Sequence, residues 1–424
     1  MIKVIKKNSS SIILLFFLLI PLLAHSQGSR YTGTYKKSGP IELVNKSNIV
    51  IEGLEFEDSI KRSITLWSCS NITIKNCKFK NVKTAHAIIA ENSTNISVID
   101  CSFEDVFAAF QGDRCKGNIK FEHNDVKNVV GRLYGGSADI QAVQLRQCEG
   151  AGNSISYNVI ENIEGESSPD DNINLFRSNG TPESPIRIAN NWIRGGGPSL
   201  SGGGIMLADY GGSYQIAENN IVVNPGQYGM AIAGGQNITI KNNKIYSKRR
   251  PVTNVGLYAN NWTEALSGKS YNITVENNDI NWTHRDGYLH NSWFSENMKP
   301  IKGLETNKYN SNLNESILPD VIINRAGNTE IEDENPDENQ PTPPESRLTQ
   351  VYLDRFNSIA IKYLVSPIPL AFAEAYTSNG QLLIAMTLPR YNQSFPFSAP
   401  KGEYYVKITY SELGKTEITK ITVN

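Results

Sequence analysis

An all-β solenoid is the fold the sequence predicts, and three aligned columns of residues predict it. The stretch Asn71-Ile72-Thr73-Ile74-Lys75-Asn76-Cys77-Lys78-Phe79 recurs with small variations from residue 48 to residue 280. Aligned on their second apolar residue, the copies read Ile51, Ile74, Val98, Phe121, Ile155, Ile188, Ile216, Ile240 and Val275. Five places on, every copy is again apolar: Phe56, Phe79, Phe103, Val126, Ile160, Ile193, Ile221, Ile245 and Ile280. Three places after the first column stand Leu54, Cys77 and Cys101, then Asn124, Asn158, Asn191, Asn219, Asn243 and Asn278.

Within each copy apolar and polar residues alternate, as Ile72 and Ile74 do with Thr73 and Lys75, which is strand periodicity with one buried face. By subtraction of the first column, the copies are 23, 24, 23, 34, 33, 28, 24 and 35 residues apart. Such a period is too short for two helices per repeat. Strands that return to one place after each turn lie parallel and bury a continuous tube of Ile, Val and Phe. The asparagine column suits a bend where side chains tolerate left-handed backbone and bond their neighbours in the stack. The pattern resembles the right-handed parallel β-helix, or pectin lyase-like, superfamily over about residues 41–325.

The chain opens with Lys3, Lys6 and Lys7 before an apolar run from Ile12 to Ala24, and Ala24-His25-Ser26 offers small residues at a cleavage site. Residues 1–26 therefore read as a secretory signal peptide, too short and wrongly flanked for a membrane span. No cysteine follows the cut, so no lipoprotein anchor is expected. Its removal takes away three lysines and no acids, so the net charge moves from -1 to -4, which leaves no electrostatic footprint for nucleic acid. Residues 27–40 lead into the solenoid. The five cysteines, Cys69, Cys77, Cys101, Cys115 and Cys148, read as buried stacked thiols without metal spacing; disulfides between stacked neighbours are compatible with export but not expected.

A second strand precedes each motif by roughly ten residues, as at Ile140 to Arg146, Asn172 to Arg177 and Gly204 to Asp209. Parity turns Val143 and Leu145 inward and Gln144 and Arg146 outward. It likewise makes Ile173 and Leu175 core and leaves Asn172, Asn174 and Phe176 exposed. Arg177 shares the buried parity and faces outward only if the strand ends or bends there. The extra residues of the longer coils fall at 131–139, 164–171 and 195–204, each just before this strand, and stack into a wall. The loop Ser178 to Glu183 and the excursion Asn260 to Lys269 supply the opposite wall. Between them lies a groove floored by residues 140–146, 172–177 and 204–210.

That groove gathers Asp139, Gln141, Gln144 and Arg146, then Glu164, Glu166, Asp170, Asp171, Asn174 and Arg177, then Asp209 and Tyr210. Guanidinium forks at Arg146 and Arg177 match a uronate or sulfated sugar; ordinary ion pairing along the ladder is the alternative. The family resemblance implies polysaccharide lyases that abstract the proton beside a uronate carboxylate, often with calcium. Here Asp170 and Asp171 are the candidate calcium ligands, Arg146, Arg177, Asp171 and Asp209 the candidate catalytic residues, and Gln144, Asn174, Tyr210 and Asp139 the candidate substrate contacts. Polygalacturonases of this fold use paired aspartates, as Asp170-Asp171 suggests, but Arg187-Ile188-Ala189 lacks the lysine of their Arg-Ile-Lys segment. The histidines His86, His123, His284 and His290 are scattered singly and read as turn or surface residues; His290 with Trp293 either stacks on sugar or caps the tube. The runs Gly195-Gly196-Gly197 and Gly202-Gly203-Gly204 read as a flexible loop.

Residues 326–346 are acidic and proline-rich, with Pro336, Pro341, Pro343 and Pro344, and read as a linker. Residues 347–424 alternate as short strands with turns at Ser378-Asn379-Gly380 and Leu413-Gly414, a small β-sandwich. With Gly380-Gln381-Leu382-Leu383, Lys401 to Ile408 and Thr419 to Val423, they resemble the C-terminal sorting domain of type IX secretion substrates. That resemblance implies passage through the periplasm, engagement of the type IX machinery, and release or retention at the outer cell surface. The expected function is a polysaccharide lyase on acidic glycans. The alternatives are a non-catalytic glycan-binding or adhesive surface protein and a hydrolase using paired aspartates.

Overall fold

The computed structural model describes residues 33–131, 140–309, 312–323, 349–353, 358–363, 371–378, 382–388, 393–398, 402–410 and 415–423. The expected signal peptide, the linker and both expected C-terminal turns fall wholly or largely outside them, as does Asp139.

Residues 36–309 wind into a parallel β-helix with three strands per coil. The floor sheet stacks, among others, Ala108–Asp113, Val143–Arg146, Ile173–Asn179, Tyr228–Ile232 and Val255–Ala259. The middle sheet carries the repeat motif, as in Ser70–Lys75 and Gln236–Lys241. The closing sheet completes each turn with strands such as Lys78–Lys80 and Ser102–Val106. One strand, Ile205–Glu218, runs through both floor and middle sheets without a break.

The apolar columns form the tube. Ile74, Val98, Phe121, Ile155 and Ile188 are fully buried and in register. On the closing sheet Phe56, Phe79 and Phe103 stack nearly parallel, with centroids 5.0 and 4.8 Å apart. The seventh repeat is shifted by one residue from the expected alignment. Ile188 pairs with Ala217 rather than Ile216, and Ile193 with Val222 rather than Ile221. Ala217 and Val222 are fully buried while the two isoleucines are only half-buried. The doublet Asn219-Asn220 allowed either frame, and hydrogen bonding selects the second: the Asn191 amide donates to Asn220 Oδ1 at 3.0 Å.

This bond belongs to a ladder through the buried corner between middle and closing sheets. The backbone amides of Asn124, Asn158, Asn191, Asn220, Asn243 and Asn278 each donate to the side-chain oxygen of the next rung, ending at Asn307. Each Nδ2 returns a bond to a main-chain carbonyl, as Asn191 does to Ile155 at 2.9 Å. The rungs are thereby satisfied in a dry interior. The left-handed backbone expected of them belongs instead to the residue before each rung, including His123, Tyr157, Asn190, Asn219, Asn242 and Asn277. Cys101 extends the ladder, its amide donating to Asn124 Oδ1 at 2.9 Å. All five cysteines are buried and free.

Beyond the solenoid, Thr349–Leu353, Ser358–Tyr363 and Gln393–Ser398 pair antiparallel. A four-stranded antiparallel sheet orders Leu382–Leu388, Ala371–Thr377, Gly402–Tyr410 and Lys415–Val423. No helix among the described residues is long and apolar enough to cross a membrane.

Candidate functional site

The geometry of the floor follows from one corner column. Ser68, Asn92, Arg114, Gln147, Arg177 and Tyr210 all have φ between 48° and 55°, at the end of successive floor strands. The left-handed turn carries the chain from floor to middle sheet and swings the corner side chain outward. Arg177 therefore escapes its buried parity and is exposed. Its guanidinium lies 5.4 Å from the Phe176 ring centroid and 5.5 Å from that of Tyr210. Arg146 covers Phe176 at 5.7 Å, and the two rings are 5.2 Å apart. Cations over aromatic faces are favoured by the ring quadrupole.

Next to this row the charges differ in kind. Glu91 pairs with Arg62 and Arg114 at 3.4 and 3.3 Å, and Asp113 with Arg114 and Arg146 at 2.7 and 3.9 Å. Among the described residues, Arg177 has no carboxylate partner. Asp209 sits beside Phe176 across the sheet, where the floor strand bulges, and is half-exposed.

Behind it lies a buried polar network. Gln111 Nε2 donates to Gln144 Oε1, and Gln144 Nε2 to Asn174 Oδ1, both at 3.2 Å. Asn174 Nδ2 donates to Asp171 Oδ2 at 2.8 Å and to Asp209 Oδ2 at 3.1 Å. Asp171 Oδ1 accepts from the Gly203 amide at 3.0 Å and from the Tyr228 hydroxyl. Burial, and then the charge of Asp170, push the Asp171 carboxyl up to about 8, since a dry site disfavours the anion and a like charge adds to that. Burial and then the charge of Asp171 raise the Tyr228 hydroxyl as well.

Two side chains expected to be exposed are buried: Asn172 and Asn174 are 0% and 1% accessible. Asn172 points into the corner, donating to the Gly195 and Gly203 carbonyls at 3.2 and 3.1 Å, and Asn174 lies between Gln144 and the aspartates. Glu164 and Glu166 are engaged elsewhere, with Arg250 at 3.1 Å and Asn128 at 2.9 Å. Asp170 Oδ1 accepts from Ser199 and Ser201 and so fastens the next coil's insertion. The glycine runs of that insertion are packed: a Cβ on Gly196 would overlap the Pro225 carbonyl, and one on Gly203 the Tyr228 carbonyl. Close backbone approach is what requires glycine here, in place of the flexible loop expected. His284, expected as a turn or surface residue, opens a turn whose Gly287 amide donates to its carbonyl at 2.8 Å, and its side chain is 4% accessible and stacks on Tyr288 at 4.4 Å.

The oxygens of Asp171 and Oδ1 of Asp170 are committed to N–H and O–H donors, a setting that does not suit calcium, which needs several oxygens with free lone pairs. No group of three or more His, Cys, Asp or Glu among the described residues could hold a metal ion.

A family model describing the right handed beta helix region matches residues 27–168. With the three parallel ladders, it makes the solenoid a right-handed parallel β-helix. No curated protein and no solved structure matches the chain. The matched segment ends just before Asp170, so of the candidate residues only Asp139, Gln144 and Arg146 lie within it. The β-helix itself continues well past it, as the rungs to Asn307 show. Tyr228 joined the site only in three dimensions, through its hydroxyl on Asp171; no motif or spacing marked it.

Proposed function

We propose that this β-helix binds a uronate-containing polysaccharide along its floor sheet and cleaves it by β-elimination. The observation that carries this reading is the row of exposed Arg146, Arg177 and Tyr210 around the half-buried Phe176, beside the half-exposed carboxylate of Asp209. Arg146 and Arg177 would hold the sugar carboxylate, whose neutralisation acidifies the adjoining C5 proton. Asp209 takes that proton, the bond from C4 to the glycosidic oxygen breaks, a C4–C5 double bond forms, and the Tyr210 hydroxyl protonates the departing oxygen. Asp171, at 3% accessibility, does not reach a substrate; it orients Asn174, which holds Asp209.

Hydrolysis needs two carboxyl groups flanking the scissile bond. Asp170 and Asp171 are both buried, which favours elimination over the hydrolase reading. Export and surface display belong to the same proposal, supported by the leader-like start and by the antiparallel C-terminal sheets at the place where a sorting domain is expected.

Purified protein incubated with acidic polysaccharides should raise the ultraviolet absorbance of a new double bond in step with reducing ends. Arg177→Lys and Asp209→Asn should each lower kcat/KM by about 100-fold. Reducing ends without absorbance would replace elimination by hydrolysis, and silence across the panel would leave binding alone.

A further inference from the structure

The outward row of the floor runs in register from Gln111 through Gln144, Asn174, Met206, Ala231 and Tyr258 to Trp293. Its first half is polar and borders the charged residues. From Met206 onward it carries no charge and ends in aromatics. The Tyr258 ring lies 6.3 Å from both Trp262 and Trp293, and the two indoles are 6.0 Å apart. Trp262 is 62% and Trp293 42% accessible.

Trp262 is held in that position. Asn261 Nδ2 donates to the Gly268 carbonyl at 2.8 Å and to Ser270 Oγ at 3.0 Å, and its Oδ1 accepts from Ser267 Oγ at 2.9 Å. From the next coil, Asn297 Nδ2 donates to the Asn261 carbonyl at 2.9 Å. Leaving an indole in water forgoes about 2 kcal/mol of burial. The hydrogen-bonded brace at Asn261 fixes the backbone beside the exposed indole and has the form of a preorganised contact.

We propose that the exposed Trp262 and Trp293, backed by the buried Tyr258 ring, form a stacking subsite for a pyranose ring of the bound polysaccharide, two to three coils, or about 10–15 Å, along the axis from the Asp209 end of the groove. The inference rests on the reading of the floor as a glycan groove. A pyranose offers an apolar C–H face to an aromatic plane and hydroxyls at its rim. Two exposed indoles 6.0 Å apart offer a narrow aromatic surface, which suits a single sugar ring of a linear polymer better than the broad patch a protein partner needs. The enzyme thus engages several consecutive sugars, and fragments too short to span both ends lose the second contact.

The test uses the full chain, its Trp262→Ala/Trp293→Ala double variant, Trp262→Phe and Arg177→Lys, run in native gels containing polygalacturonate, alginate, hyaluronan or neutral xylan. Circular dichroism checks folding. Retardation of the wild type that falls at least tenfold in the double variant, is kept by Trp262→Phe, and is accompanied by a tryptophan fluorescence change supports the subsite. Retardation by an acidic polymer that is unchanged in the folded double variant overturns the subsite and leaves the proposed function standing. Retardation by neutral xylan alone, lost in the double variant but not in Arg177→Lys, keeps the subsite and overturns the preference for uronate. No retardation in any gel overturns both. For a cleaved polymer, the double variant should raise KM with kcat kept, and should leave rates on a disaccharide unchanged.

Discussion

Asp171 shows how one residue ties the floor together: three donors converge on a carboxyl that burial keeps protonated up to about 8. The unfolded chain releases that proton near the ordinary value of about 4. The folded state holds it longer, so this group's contribution to stability is full below about pH 4, falls as pH rises toward 8, and is flat above. The slope is at most about 1.4 kcal/mol per pH unit. Urea midpoints of wild type and Asp171→Asn should diverge across that window, and parallel curves would show the carboxyl to be ionised throughout. Part of this was legible in the sequence. Alternation turned Arg146 outward, and Arg177, Asp209 and Tyr210 were gathered into the same groove by the positions of their strands and of the insertions before them. The burial of Asn174 was not, because parity says which way a side chain points and nothing of the Gln144 and aspartate side chains that cover it. Tyr228 was illegible for the same reason, since its partner Asp171 is 57 residues away.

At the scale of the element, the repeat fixes more than the hydrophobic pattern discloses. Its apolar columns predicted the middle and closing sheets in correct register for all but the seventh copy, where Ile216 was a better apolar residue than Ala217 and only the amide ladder could decide. Replacing one rung, Asn191→Ala, unmakes the bonds to Asn158, Ile155 and Asn220 and should cost about 2–4 kcal/mol in urea denaturation. A loss below 0.5 kcal/mol would mean that water substitutes for the rung. Gly196→Ala should be at least as damaging because backbone blocks its Cβ. Gly39→Ala, with nothing within 4 Å, should lie within about 0.5 kcal/mol of wild type. Equal midpoints for the two would contradict the packed wall.

For the whole molecule, the groove is built from side chains and its shape from coil length. Chelator or millimolar calcium should leave the melting temperature unchanged; a calcium-dependent rise would reveal ligands that bind only the folded state. The corner column has a further consequence. Because successive coils from Ser68 to Tyr210 present the same left-handed slot, adding or deleting one complete turn, such as the 24 residues from Cys77 to Asp100, keeps the parallel pairing on both sides of the junction. A change one residue longer or shorter does not. The length of the groove is therefore adjustable in whole turns: gene duplication or a designer could lengthen or shorten it in steps of about 4.8 Å, changing its reach without redrawing the arrangement of Arg177 and Asp209.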